Sequence, residues 1–198
     1  MNSYSTIDTT ALHQHLQFFQ VLTEVDIQNF ISLGRQRSYK KGECFIQEGE
    51  VCEEVTFVLN GILRSYYLTD KGEEITYCIT FPNNFMTAYS SYITGMKSQE
   101  NIQAITNVEL LSFSKQSLQK LLVGNIQWME FSKMIAEYQY MELEKRIFNL
   151  QRTSAAQRYE ELMRDKPEYI QHIPLQYLAS YLGITQRHLS RIRKEITF

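Results

Sequence analysis

Three stretches of the chain space their hydrophobic residues in three different ways. Up to about residue 34 the apolar positions suit short helices. Thr23 followed three residues later by Asp26 has the form of an N-cap, with Val25, Ile27, Phe30 and Ile31 as the apolar positions behind it. From Gln36 to about Ser114 the pattern becomes short apolar runs broken by turn residues. Gly42, Gly49, Gly61 and Gly72 fall seven to twelve residues apart, the spacing of turns in a barrel or sandwich. Thr56–Leu59, Ile62–Leu68 and Ile75–Thr80 are rich in β-branched and aromatic residues, and Asp70-Lys71-Gly72 between the last two predicts a hairpin turn. Asn101–Thr106 and Glu109–Phe113 read as closing strands.

From Lys115 onward the period is helical. Ser117 to Val123 predicts a short helix broken near Gly124-Asn125, and Gln127 to about Leu150 contains neither Gly nor Pro. A helix of about 24 residues spans roughly 36 Å at 1.5 Å per residue, longer than a small domain needs for itself. Phe131, Met134, Tyr138, Met141 and Phe148 follow three- and four-residue steps, with Lys145 interrupting the last, and form the expected dimer seam. A second stripe, Ile135, Leu143, Ile147 and Leu150, is expected to pack against the same chain's barrel. Thr153-Ser154 then caps a helix from Ala155 to Lys166, which stops at Pro167.

The last 25 residues carry the most specific pattern. Pro174 suits a first helical turn, and Leu175, Leu178 and Leu182 form one apolar face. Ala179 is small where a second helix must cross, and Gly183 sits where the chain leaves the first helix and needs positive φ. Ile184 plugs the gap, Thr185 caps the second helix, and Leu189 and Ile192 face back to the first. Two helices joined by so short a glycine turn make a helix-turn-helix, whose second helix enters the major groove of DNA. The outer face of that helix holds Gln186, Arg187, Ser190, Arg191 and Lys194, flanked by His188 and Arg193. Overall charge is no guide, because the chain carries a formal net charge of −2. Its distribution is: from Ile184 to Phe198 there are four Arg or Lys against one Glu. Arginine can bond two acceptors on guanine, glutamine two groups on adenine, and lysine neutralises phosphate.

With this motif behind a glycine-punctuated β-region, residues 15–196 resemble the cAMP receptor protein/FNR (Crp/Fnr) family of bacterial regulators. Tyr39-Lys40-Lys41-Gly42-Glu43, Phe45-Ile46-Gln47-Glu48-Gly49-Glu50 and Phe57-Val58-Leu59-Asn60-Gly61 look like the family's first β-roll turns, and Gly183 to Ile192 like its recognition helix. The resemblance implies an α+β fold: a cyclic-nucleotide-binding-type β-roll over 1–125, a dimerisation helix over 126–152 and a helix-turn-helix over 153–198. It implies promoter binding as a homodimer, with Gln186, Arg187 and Arg191 at base-reading positions and Thr185 and His188 at phosphate-touching ones. RNA polymerase is a further candidate partner.

Two departures from the family pattern qualify that expectation. Nucleotide-binding members carry a Gly-Glu pair after an Asp-Phe turn and an Arg-Ser or Arg-Thr pair about ten residues on. Here Asn84-Phe85-Met86-Thr87-Ala88 occupies the first motif and Ser98-Gln99 the second, so the carboxylate becomes Ala88 and the guanidinium Ser98. Without its charged partners the pocket is expected not to hold cAMP. Phe85, Met86, Tyr89 and Tyr92 would leave an apolar lining for an uncharged effector or none, and Arg64 is the candidate to rescue an anion site. The chain also ends at Phe198 directly after the recognition helix, with no room for a β-wing.

The remaining composition is that of a soluble globular protein, 43% hydrophobic and 21% charged, rich in Tyr and Phe. No secretory leader or membrane-length apolar run is present, so a cytoplasmic location is expected, with no membrane partner. Cys44, Cys52 and Cys78 lack metal-ligand spacing, and none precedes residue 44 as an iron–sulfur sensor of this family would require. His13-x-His15 reads as a surface pair pointing to different helix faces. No phosphate loop or nucleophile elbow appears. The expectation is a protein that is no enzyme and carries no cofactor or metal. The alternative function is a ligand-binding or scaffold module that has lost DNA binding.

Overall fold

The computed structural model describes residues 8–196; the first seven residues and Thr197-Phe198, which bear on the leader and the chain end, lie outside them. Contacts group the chain into two compact units. One holds residues up to Arg64 together with Ile79–Ile135; the other holds Ser65–Cys78 and the residues from Ala136 on.

The first unit opens with helices α1 (Thr10–Phe18) and α2 (Glu24–Ser32). Thr23 caps α2 as its sequence suggests: its hydroxyl accepts from the Asp26 amide at 3.2 Å, and the Asp26 carboxylate accepts from the Thr23 amide at 3.1 Å. These bonds, the Thr23 hydroxyl first, hold the Asp26 carboxyl below its ordinary value. Along the described chain the strands that follow are β1 (Arg35–Tyr39), β2 (Cys44–Ile46), β3 (Glu54–Asn60), β4 (Leu63–Leu68), β5 (Glu74–Thr80), β6 (Phe85–Met86), β7 (Asn101–Ala104) and β8 (Val108–Ser114), with Ser65–Cys78 of β4 and β5 belonging to the second unit. They form two four-stranded sheets, ordered β1-β8-β3-β6 and β2-β7-β4-β5. A short helix, α3 (Tyr89–Thr94), interrupts the β-region, and α4 (Lys115–Leu122) leaves it. Sequence periodicity gave no sign of α3, which is six residues long.

Alternation along the first sheet explains how both of its faces are covered. On β3 and β8, Val58, Val108 and Leu110 join Ile46, Leu63, Met86, Ile102 and Ala104 inside the roll. Phe57, Leu111 and Phe113 face the other way, onto Leu12, Leu16, Ile27 and Phe30 of the first two helices and Trp128 and Phe131. Gly61 closes the β3–β4 turn at φ +84°, and a Cβ there would lie 2.2 Å from the Asn107 carbonyl oxygen, so no other residue fits unstrained.

The second unit is helical apart from the far end of the β4–β5 hairpin. It contains the C-terminal part of α5 (Ile126–Arg152), then α6 (Ala155–Asp165), α7 (Pro167–His172), α8 (Leu175–Tyr181) and α9 (Gln186–Ile196). Ser154 caps α6 through a reciprocal pair of bonds with Gln157. Pro167, expected only as a stop, also opens α7, because proline at the first helical position loses no hydrogen bond. No helix among the described residues is long and apolar enough to cross a membrane.

Candidate nucleic-acid interface

Helices α8 and α9 pack through the residues that their spacing picks out. Leu178 and Ala179 are 1% exposed, Leu189 not at all, and Leu182 and Ile192 are buried with them. The turn between them is a Schellman closure. Gly183, at φ +69°, donates its amide to the Ser180 carbonyl at 2.9 Å, and Ile184 donates to the Ala179 carbonyl at 3.0 Å. Thr185 then caps α9, its hydroxyl accepting from the His188 amide at 3.2 Å.

With Leu189 and Ile192 turned inward, Gln186, Arg187, Arg191 and Lys194 are exposed on α9, beside half-buried His188 and Ser190. Arg191 Nε lies 3.8 Å from the Glu195 carboxylate, with both side chains about two-thirds exposed, so this ion pair holds the guanidinium only loosely. Such a face can donate to base edges and phosphates.

Two arginines that sequence reading passed over fix α8 from behind. Arg158 on α6 donates from Nε and Nη2 to the Leu182 carbonyl at 3.1 and 3.0 Å. Arg146 on α5 donates to the Tyr181 carbonyl at 2.8 Å while its guanidinium lies 4.0 Å from the centre of the Tyr181 ring. These are the carbonyls that a helix C-terminus leaves open, and cations are favoured there. Burial, with the charge of Arg146 adding to it, lowers the Arg158 pKa from its ordinary value. Tyr169 of α7 packs against Tyr181 with the rings tilted at 47° and their centres 5.3 Å apart; its hydroxyl is pushed well above the ordinary range, mainly by burial.

The candidate effector residues do not converge. Met86 and Ala88 do line the roll interior, with Ala88 1% exposed. Phe85, one residue before Met86 on a strand, points to the opposite face and packs with His15, Phe30 and Phe57. Thr87 donates to the Glu54 carbonyl at 2.9 Å and sits 3.3 Å from the Cys52 sulfur. Ser98 is buried, but its hydroxyl donates to the Glu100 carbonyl at 2.8 Å and accepts from the Glu100 amide, closing a local turn. Gln99 and Tyr89 are exposed. Arg64 needs correction as an anion-site candidate. It alternates with Leu63, which faces the interior, and its guanidinium grips Gln103 Oε1 at 3.0 and 2.7 Å; Gln103 likewise alternates with interior Ile102 and Ala104.

The helix stripes also change roles. Phe131, expected at a dimer seam, is 6% exposed and packs edge-on to Trp128 and Phe19, so it belongs to its own core. Met134 is half-buried, while Tyr138, Met141 and Phe148 are exposed, with the Arg152 guanidinium lying over the Phe148 ring. Of the stripe expected to face inward, only Ile135 packs on that core; Leu143, Ile147 and Leu150 are exposed. His15 is likewise not a surface residue: its ring sits among Phe19, Phe57 and Phe85, and burial lowers its pKa. His13 does bond elsewhere, to Glu24 at 2.9 Å.

In chain order the elements are a β-roll, a long helix and, near the end, two short helices joined by a glycine turn. Residues 36–125 match the cyclic nucleotide-binding domain family. No curated protein matches the chain by sequence. Among solved structures, FixK2 from Bradyrhizobium japonicum superposes with a TM-score of 0.70 at 21% identity, covering 83% of this chain and 84% of that one. A chain described as a transcriptional regulator of the crp/fnr family from Eubacterium rectale gives 0.71 at 16% identity, covering 93% and 88%. The global regulator CLP of Xanthomonas campestris gives 0.65 at 17% identity, covering 88% and 92%. The chain therefore carries a cyclic nucleotide-binding-type domain and has the fold of the Crp/Fnr-type regulators.

Proposed function

We propose that this protein is a cytoplasmic, non-enzymatic Crp/Fnr-type transcription regulator that reads duplex DNA as a homodimer. The observation that carries the reading is the α8–α9 pair. A complete helix-turn-helix scaffold leaves Gln186, Arg187, Arg191 and Lys194 exposed on one helix face, in a chain with no excess of positive charge elsewhere to explain them. Arg187, Arg191 and Gln186 would read base edges, and Thr185, His188, Ser190 and Lys194 would hold phosphates.

Homodimerisation is supported by a row on α5. Ala136, Tyr140, Leu143, Ile147 and Leu150 follow one another at four, three, four and three residues, the heptad spacing of a helix–helix seam. Tyr140 is 66% exposed and Leu143 and Ile147 51% each, so the middle of this apolar row is open, while Leu150 at its end lies beside the Gly183 turn. A second copy related by two-fold symmetry would cover it and place two recognition helices for half-sites about 34–36 Å apart. This row replaces the seam through Phe131 and Phe148.

The roll is proposed not to bind cAMP, because Ala88 and Ser98 offer no charge and Ser98 is committed to its own turn. Selection of duplexes from a random library by the full chain tests the main reading. Wild-type protein should enrich a two-fold symmetric sequence, and a variant with both Arg187→Ala and Arg191→Ala should not. Equal enrichment by both proteins would overturn the assignment.

A further inference from the structure

Ser180 lies on α8 but takes no part in the core of the helix pair, which is made by Leu178, Ala179, Leu182, Leu189 and Ile192. Nor does a helix favour serine, whose hydroxyl competes for backbone groups and is a poorer helix former than alanine. The hydroxyl instead leaves the helix. It donates to the Glu74 carbonyl at 3.1 Å and accepts from the Thr76 amide at 2.8 Å, both on β5. A hydroxyl is small and can serve a donor and an acceptor at once.

The target has a reason of its own. β5 is the last strand in the order β2-β7-β4-β5, so backbone groups on its outer side have no further strand to pair with. Residues two apart on a strand point their backbone groups to the same side, and Glu74 and Thr76 are two apart. Ser180 therefore takes the place of a neighbouring strand for one donor and one acceptor, at a point where Thr76 is 0% exposed. Ser65–Cys78 belong to the same compact unit as the C-terminal helices, so this clasp is part of that unit's own packing.

We propose that Ser180 is a positioning residue for DNA reading: its hydroxyl clasps the outer edge of the β4–β5 hairpin and so fixes the helix pair on that hairpin. The proposal rests on the DNA-reading function above. The clasp holds without blocking, because the polar face of α9 is exposed in the clasped unit. Its neighbours act in the same sense: Tyr181 and Leu182 are tied to Arg146 and Arg158, so three successive residues fasten the end of α8 to three different elements. Two readers in a dimer must meet half-sites at one fixed separation, and a reader loose on its mount would lose that fixed separation before it lost base contacts.

The test uses the full chain and the duplex that wild-type protein selects. Ser180→Ala should weaken binding to the complete two-half-site duplex by about tenfold, the weight of roughly one net hydrogen bond. Binding to a single half-site should change less than about twofold on the same scale. A one-base-pair insertion between half-sites should penalise the variant less than wild type, and Ser180→Thr, which keeps the hydroxyl, should restore both affinity and spacing dependence. Hydrogen exchange at the Thr76 amide should quicken in Ser180→Ala and not in Ser180→Thr. Equal losses on half and full sites would mean a damaged helix pair and overturn the positioning role, as would wild-type affinity and spacing dependence in the alanine variant. Wild-type protein that selects no sequence would overturn the DNA reading and the positioning role with it, while Thr76 exchange still reports whether the clasp exists.

Discussion

The segment from Asn84 to Gln99 and the helix pair from Leu175 to Ile196 are two regions where a local scaffold sets the proposed functional positions at fixed offsets. They end differently. In the helix pair the scaffold residues are buried and the functional positions hold exposed side chains able to donate hydrogen bonds. In the roll the scaffold is equally intact, with Met86 and Ala88 buried in its core, but the two positions proposed to correspond to an anion site hold a methyl group and a hydroxyl bonded to its own turn. Scaffold and site are separable because buried apolar residues and turn glycines carry the folding free energy. The ligand-facing charges cost stability when empty and can be lost without harm to the fold.

The sharpest way to break that comparison is to offer the roll its absent ligand. Loss of two charge-assisted hydrogen bonds at roughly 1.5–3 kcal/mol each should weaken cAMP by about two to four orders of magnitude. Calorimetric titration should show no cAMP or cGMP binding in the micromolar range, and a low-micromolar dissociation constant would undo the contrast.

The reader should fail through its scaffold next. Leu189 has no exposed surface, so Leu189→Ala should destabilise the helix pair by about 2–5 kcal/mol. Hydrogen exchange should then collapse over 175–196 while strands β3 and β8 keep their protection; loss of protection in both places would show that the two regions fold as one.

At the seam, Ile147→Glu should shift sedimentation from dimer to monomer at micromolar concentration, whereas Tyr138→Glu should do so less. The reverse ranking would return the interface to the stripe through Met134, Tyr138 and Met141. On α9, Arg191→Ala should cost about 1–3 kcal/mol of affinity and relax one position in each half-site. Lys194→Ala should weaken all sequences alike and flatten the salt dependence, so identical salt slopes for the two variants would refute the division of roles.

The smallest effect concerns pH. Burial holds the His15 imidazole below its ordinary value, so it stays neutral in the fold when the unfolded chain begins to protonate near about 6.5. Stability should be complete above that pH and decline as pH falls toward the lowered folded value, since the unfolded state then binds the extra proton. His15→Phe should reduce the decline in melting temperature between about pH 7 and pH 5; an unchanged profile would place the titrating group elsewhere.

How much of this was legible beforehand follows from the range of the forces involved. Capping at Thr23, Ser154 and Thr185, the glycine turns at 42, 49, 61 and 72, and the helix pair around Gly183 all formed where the residues indicate. Each depends on contacts a few residues apart, so spacing alone specifies it. The stripes of α5 were legible as stripes but not as faces. Phe131 and Ile135 go to the core, and Leu143 and Ile147 to the surface, because packing against α1, α2 and β8 picks the buried side, and no local rule contains those partners. The same holds for Phe85 and Arg64, whose strand parity could be read but not which side was interior.

By itself, then, the sequence determined the helical or β character of each stretch, the caps and glycine turns, and the basic face of α9, since these follow from periodicity, turn chemistry and local charge; it did not reveal α3 or α7. Tertiary structure alone decided which stripe of α5 is buried and which is exposed. It alone joined Ser180 to a strand edge more than a hundred residues away, at Glu74, because a hydroxyl finds its partners only once the sheet has an edge to offer.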